Sequence, residues 1–208
     1  MDICFVHQRK GCIPICCIEQ KVEEKPKKHG SLLPDSIRRL FVGSSGCGKT
    51  NALCNLIYNP NGLTFQNVYI YSKSLFQPKY CQLEKVLSEI PEIGYFAHAD
   101  VEDIVKPEDA REHSIFIFDD VACGPQSIIR YYFSFSRHKN IDTFYLIQTY
   151  TSAPKQLVRD NVIFHLLFPQ DRFNLKHVHD EHVNTDMSFD FWHYVISVGM
   201  RNHMTVYL

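Results

Sequence analysis

Gly43-Ser44-Ser45-Gly46-Cys47-Gly48-Lys49-Thr50 places three of the chain's nine glycines within six positions and ends on a lysine and a threonine. The string fits G-x-x-x-x-G-K-[ST], a loop whose successive backbone N–H groups turn inward around an anion. Side chains there have to be small or absent, and a helix beginning near Lys49 adds its positive end. All eight residues are therefore candidate nucleotide-binding residues. Lys49 is expected to reach the β- and γ-phosphates, and the Thr50 hydroxyl to ligate Mg2+. The bland alternative is a glycine-rich strand-to-helix turn without a ligand.

A magnesium nucleotide also needs a carboxylate at the end of a neighbouring strand. Ile115-Phe116-Ile117-Phe118-Asp119-Asp120 offers four apolar residues and then two acids. Asp119 is the candidate metal-shell carboxylate, and Asp120 the group that polarises the attacking water. Gln148, following the apolar run Phe144 to Ile147, is placed to sense the γ-phosphate. Arg137 lies in the basic stretch Ser134 to Asn140 and could enter a neighbouring subunit's site as a finger, its planar fork of donors suiting crowded phosphate charge. Each has an ordinary counterpart: an acidic strand end opening a turn, a polar strand tip, a basic helix C-terminus. No Asn-Lys-x-Asp tetrad for guanine is present, Lys139-Asn140-Ile141-Asp142 having the wrong order, and no arginine-rich lid can be drawn from Arg159, Arg172 and Arg201. ATP hydrolysis is the leading chemistry.

These groups need strands that end together and helices that begin beside them. Short apolar runs span Ile37 to Val42, Val68 to Tyr71, Ile115 to Phe118, Phe144 to Ile147 and Val162 to Phe168. They lack period-two alternation, as strands covered on both faces do. Helices are predicted over Thr50 to Tyr58, Lys79 to Glu89, Gln126 to Phe135 and Pro154 to Arg159. The alternation predicts an α/β fold, a mostly parallel sheet flanked by helices on both faces. Residues 1–30 read as a separate Cys-rich and charged extension carrying Cys4, Cys12, Cys16 and Cys17, and residues 31–208 as the ATPase domain. Zinc on Cys12 and Cys16 with His7 or His29 is the minor reading of that extension.

The chain has 208 residues, with 22 Lys and Arg against 23 Asp and Glu. That balance excludes a bulk-basic nucleic-acid coat, so any DNA contact must be local. Eight cysteines, several inside apolar runs, point to a reducing interior rather than a disulfide scaffold. The apolar run from Cys12 to Ile18 is too short to span a bilayer, and no membrane or secretory route is expected.

The P-loop, the Asp119-Asp120 strand, Ser136-Arg137-His138-Lys139-Asn140-Ile141, the Gln148 strand tip and Leu157-Val158-Arg159-Asp160-Asn161 occur in that order. In this the sequence resembles the poxvirus-type genome-packaging ATPases of large DNA viruses and virus-like transposons, within the FtsK/HerA superfamily of DNA-pumping motors. The similarity runs from about Leu33 to the C-terminus. It implies a P-loop NTPase with a RecA-like sheet, the sensor strand lying between the P-loop and Asp119-Asp120 strands. It further implies ATP and Mg2+ as cofactors, a ring of identical subunits, and double-stranded DNA moved without sequence preference toward a capsid or portal protein, at intracellular sites of virion assembly. Carried over, Lys49, Asp120, Gln148 and Arg137 are catalytic, Thr50 and Asp119 hold the metal, and Arg159 belongs to the subunit-interface machinery. Competing readings are a nucleotide kinase or other non-DNA ATPase, and a nucleotide-gated interaction module with little turnover.

Some residues stand outside the motifs. Lys73, Lys79 and Lys139 are candidate phosphate contacts, with a solvated surface as the ordinary alternative. His177, His179 and His182 offer ligand-type side chains, but a solvated polar face is the expectation over zinc. Trp192 reads as core packing.

Overall fold

Where a run is apolar at every position, both of its faces need cover, and that requirement organises the molecule. The computed structural model describes residues 2–6, 15–19, 27–100, 104–121, 126–135, 139–155, 159–200 and 205–207. In chain order the elements are β1 (Asp2–Val6), β2 (Ile15–Glu19), β3 (Arg38–Val42), α1 (Lys49–Tyr58), β4 (Asn67–Ser72), α2 (Pro78–Ser88) and β5 (Gly94–His98). Then follow β6 (Ser114–Asp119), α3 (Gln126–Phe135), β7 (Asp142–Ile147), β8 (Phe164–Leu167), α4 (Arg172–His182), α5 (Phe189–Met200) and β9 (Thr205–Tyr207). β1 and β2 pair antiparallel as a separate two-stranded sheet.

The main sheet has the order β5-β4-β6-β7-β3-β8-β9. The first six strands are mutually parallel, and β9 closes the edge antiparallel to β8. β7 lies between β3 and β6, so the strand carrying Gln148 at its tip separates the P-loop strand from the Asp119-Asp120 strand, as the resemblance implied.

Every residue of β4, β6 and β7 is buried, which explains the missing alternation in sequence. Side chains still alternate between faces. Phe41, Ile70, Ile115, Ile117 and Leu146 pack under Leu53 and Ile57 of α1 and Tyr80, Leu83 and Leu87 of α2. Leu40, Val42, Tyr69, Phe116, Phe118 and Tyr145 pack on the other face against Ile129 and Tyr132 of α3, Leu175 and Val178 of α4 and Trp192 of α5. Trp192 is thus a core residue. Ring centroids of Tyr69 and Phe116, and of Phe116 and Tyr132, lie 4.3 Å apart, tying β4, β6 and α3 into one aromatic stack.

The α-helix expected over Pro154 to Arg159 is absent from the described part of that stretch. Ala153 is extended (φ −73°, ψ 133°), the conformation a following proline imposes, and this ends the 3₁₀ turn Tyr150–Ser152. The Arg159 N–H then donates to Pro154 O at 3.3 Å, five residues back, and a second 3₁₀ turn covers Arg159–Asn161.

At the end of the sheet remote from the P-loop, buried Asp142 accepts from the Ile37 N–H at 2.8 Å and from Lys28 Nζ at 2.7 Å. His29 Nδ1 accepts from the Thr64 N–H at 3.0 Å, so the ring's proton sits on Nε2, which faces Asp142 Oδ2 at 3.0 Å. Lys28 and His29, which composition assigns to the extension, are therefore anchored to the domain built on the main sheet. Among the described residues no helix is long and apolar enough to cross a membrane.

Candidate functional site

The register Val42↔Ile147 and Asp119↔Leu146 brings the C-terminal ends of β3, β7 and β6 side by side. The loop after β3, the acids ending β6 and the residue after β7 consequently open onto one cleft, where ligands of open α/β sheets bind. Ser45, Gly46, Lys49, Thr50, Asp119, Asp120 and Gln148 all line it.

The loop's glycines are set by its path. Gly46 and Gly48 adopt φ of +76° and +104°, in the left-handed region that side chains disfavour. Gly43 is required for space: a Cβ there would lie 2.4 Å from Cys47 Sγ and 2.7 Å from Phe168 Cβ. Gly48 caps α1 without a side-chain hydrogen bond, so the helix's first amides stay uncapped by side chains beside the cleft. Lys49 folds back over the loop and donates from Nζ to Gly43 O at 2.5 Å and Ser44 O at 3.0 Å. Two neutral carbonyls hold its ammonium at the cleft.

Asp119 is 9% exposed, and its Oδ2 accepts from the Tyr80 hydroxyl at 2.5 Å. Burial pushes the Asp119 carboxyl above its ordinary range, opposed by the Tyr80 hydrogen bond and the Lys49 charge; Asp120 adds to the upward push. Burial, then the neighbouring Asp119, also holds Tyr80 protonated, as a donor. Thr50 and Asp119 line the same cleft. Two hard oxygen donors converging beside a phosphate loop fit a Mg2+ whose remaining ligands come from water and phosphate.

Asp120 sits at φ +55°, a conformation aspartate tolerates better than most side chains. Its N–H donates to Leu146 O at 3.3 Å, so the acidic pair is fastened to β7 as it leaves β6. Gln148 Nε2 donates to Asp120 Oδ1 at 3.4 Å, a long contact joining the candidate water-activating acid to the candidate sensor.

Sequence reasoning missed one wall of this cleft. Ser74 and Gln77, from the connection between β4 and α2, line it with the P-loop residues, and Tyr80 of α2 reaches Asp119 with its hydroxyl. The available signal was Gln77-Pro78, since proline favours the first helical position and so marks where α2 starts.

Arg137 lies outside the described residues. Arg159, expected at a subunit interface, is engaged within its own subunit. Its Nη1 donates to both Glu181 oxygens at 2.7 and 2.9 Å, and its guanidinium lies 5.0 Å from the Tyr150 ring centroid. Of the candidate DNA contacts, Lys73 and Lys79 are exposed, whereas Lys139 donates to Glu108 O. His177, His179 and His182 do lie on a helix, α4, but take separate partners. His177 packs on Phe173, His179 Nε2 meets Met187 O at 2.8 Å, and His182 Nε2 meets the Tyr150 hydroxyl at 2.7 Å. The solvated face expected there gives way to a buried His179, and among the described residues no three metal-ligating side chains cluster. Cys12 and its metal reading fall outside the described residues.

A sequence profile of the poxvirus A32 protein family matches residues 24–188. The chain belongs to that family. The A32 match begins ahead of Lys28 and His29 and spans the whole cleft. No curated protein matches the chain. Among solved structures, this A32-family chain is similar in fold to the genome packaging NTPase B204 from Sulfolobus turreted icosahedral virus 2. For B204 in complex with sulfate the TM-score is 0.52 at 11% identity, over 73% of this chain and 82% of that one. For B204 in complex with AMP it is 0.51 at 8% identity, over 74% and 85% respectively.

Proposed function

We propose that this A32-family chain is an ATPase that drives double-stranded DNA into a capsid, working as a ring of identical subunits. The observation that carries the reading is the meeting of Lys49, Thr50, Asp119, Asp120 and Gln148 in one cleft at the ends of three adjacent strands. Family membership and the fold shared with a genome packaging NTPase favour packaging over a small-metabolite kinase.

In this reading the amides of residues 43–48 and the Lys49 ammonium bind the β- and γ-phosphates. Thr50 and Asp119 would hold Mg2+, which supplies neutralising charge to the phosphate oxygens. Asp120 takes a proton from the attacking water, and Gln148, already in contact with Asp120, orients that water. Arg137 reaches the next subunit's γ-phosphate as a finger in trans. DNA is gripped through its phosphates rather than read by its bases. With Lys and Arg nearly balanced by Asp and Glu, affinity comes from a few basic groups repeated around a ring, exposed Lys73 and Lys79 among the candidates. A capsid or portal protein at intracellular assembly sites is the implied partner. ATP hydrolysis by the purified chain, with and without duplex DNA, tests the reading.

A further inference from the structure

Tyr80 enters the site from an element that no P-loop motif includes. It stands on the first turn of α2, where Tyr80, Leu83 and Leu87 form the buried stripe of that helix. Its ring sits in the apolar layer with Leu53 and Ile57 of α1, and the residue is 1% exposed. A tyrosine buried this deeply needs an acceptor for its hydroxyl. It finds one in Asp119 Oδ2, at 2.5 Å. Packing therefore fixes the ring, and the ring fixes the carboxylate.

We propose that Tyr80 is a positioning residue for the metal site, locking the rotamer of Asp119 so that its carboxylate is preset for a magnesium nucleotide. The proposal rests on the ATPase reading above and deepens it. Partners in the outer shell of a metal site commonly account for 10- to 100-fold in metal affinity, because a ligand that must first be immobilised binds less tightly. Tyr80 does this from α2, and so makes the packing of that helix part of the metal site. The phosphate loop has its own donors in the backbone of residues 43–48 and Lys49, whereas the Tyr80 hydroxyl is given to Asp119. Metal affinity and metal-free nucleotide affinity should therefore separate.

Tyr80→Phe keeps the ring and removes only the hydroxyl; Leu83→Val loosens α2 without reaching Asp119. On the full-length chain, binding of a fluorescent ATP analogue in EDTA reads the phosphate loop. Electron paramagnetic resonance titration of Mn2+ into the complex with a non-hydrolysable ATP analogue reads the metal site. The expected result is wild-type nucleotide affinity in EDTA for both variants, with Mn2+ affinity lowered about 10-fold in Tyr80→Phe and unchanged in Leu83→Val. Turnover of Tyr80→Phe should need correspondingly more Mg2+ for half-maximal rate. Unchanged Mn2+ affinity in Tyr80→Phe would overturn the proposal. So would an equal loss in both variants, which would make the role one of packing. A wild-type chain that binds neither the analogue nor Mn2+ fails the ATPase reading itself, and the proposal with it.

Discussion

Tyr80 donates its hydroxyl proton to Asp119 Oδ2 across 2.5 Å, joining the buried face of α2 to the acid that ends β6. The carboxylate is held where burial disfavours its charge, and its pKa is raised accordingly. A raised acid pKa means that the folded state holds the proton more tightly than the unfolded chain, so stability falls as pH rises past the unfolded value of about 3.9. At neutral pH the ionised Asp119 is a net cost to the ligand-free fold. Asp119→Asn removes the charge and keeps an oxygen to accept from Tyr80. In urea at pH 7, without nucleotide or metal, its unfolding midpoint should be higher than wild type while ATP turnover is lost. A midpoint at or below wild type would contradict this account of the carboxylate.

Lys49 donates to the carbonyls of Gly43 and Ser44, which keeps the ammonium at the mouth of the phosphate loop. Hydrogen bonds to charged groups contribute about 1.5–3 kcal/mol, so Lys49→Ala should bind ATP at least about 10-fold more weakly, read by equilibrium binding. Mixed with Arg137→Ala, it should recover part of the wild-type ATPase rate, because one subunit supplies the finger and the other the loop. No recovery would place Arg137 outside the neighbouring site.

Arg159 and Glu181 are 11% and 19% exposed at the side chain, and Tyr150 donates to Glu181 Oε2 at 2.7 Å. Breaking a pair of this kind from one side leaves a poorly hydrated charge without its partner. Arg159→Ala should lower the stability of the dilute, unassembled subunit by about 3 kcal/mol, measured by urea unfolding. An unchanged midpoint would assign Arg159 to contacts between subunits.

His165 is 4% exposed, and burial, with the charge of His182 second, pushes its pKa down to about 3. The unfolded chain takes up a proton near pH 6.5 that the folded chain refuses until about pH 3. Stability from this histidine is complete above 6.5 and is lost as pH falls through that window. From pH 7 to 5 the loss amounts to about 2 kcal/mol. His165→Leu should shrink the wild-type stability difference between those two pH values by about that amount; an unaltered difference would contradict it.

The parts of the site written along the chain were legible, because chemistry fixes their order locally. The P-loop announces itself through glycines that only its backbone path requires, and Asp119-Asp120 through acids at the end of four apolar residues. The β–α alternation gave the sheet, and only the resemblance placed β7 between β3 and β6. Tyr80 could not be read, since a tyrosine in line with Leu83 and Leu87 looks like any core residue until tertiary packing brings α2 against β6. The same holds for His179, whose polar neighbours in sequence point to solvent while its partner, Met187 O, lies beyond the helix. Pro154 to Arg159 misled in the opposite direction: its composition suits a helix, but the residue before the proline is extended, and Arg159 opens a 3₁₀ turn while bound to Glu181. β5 passed unread because its five residues are all half-buried at the flank of β4, with neither alternation nor a continuous apolar run.

The central claim is that this cleft hydrolyses ATP to move duplex DNA, and one measurement addresses it most directly. Steady-state ATPase rate is followed as duplex DNA is added at low and at raised salt, with Lys49→Ala as the blank and solution mass recorded on the same sample. The account predicts an assembled ring whose rate rises with duplex DNA of any sequence and falls back as salt screens the phosphate contacts. A chain that stays monomeric and turns over ATP at one rate whether or not DNA is present would contradict it.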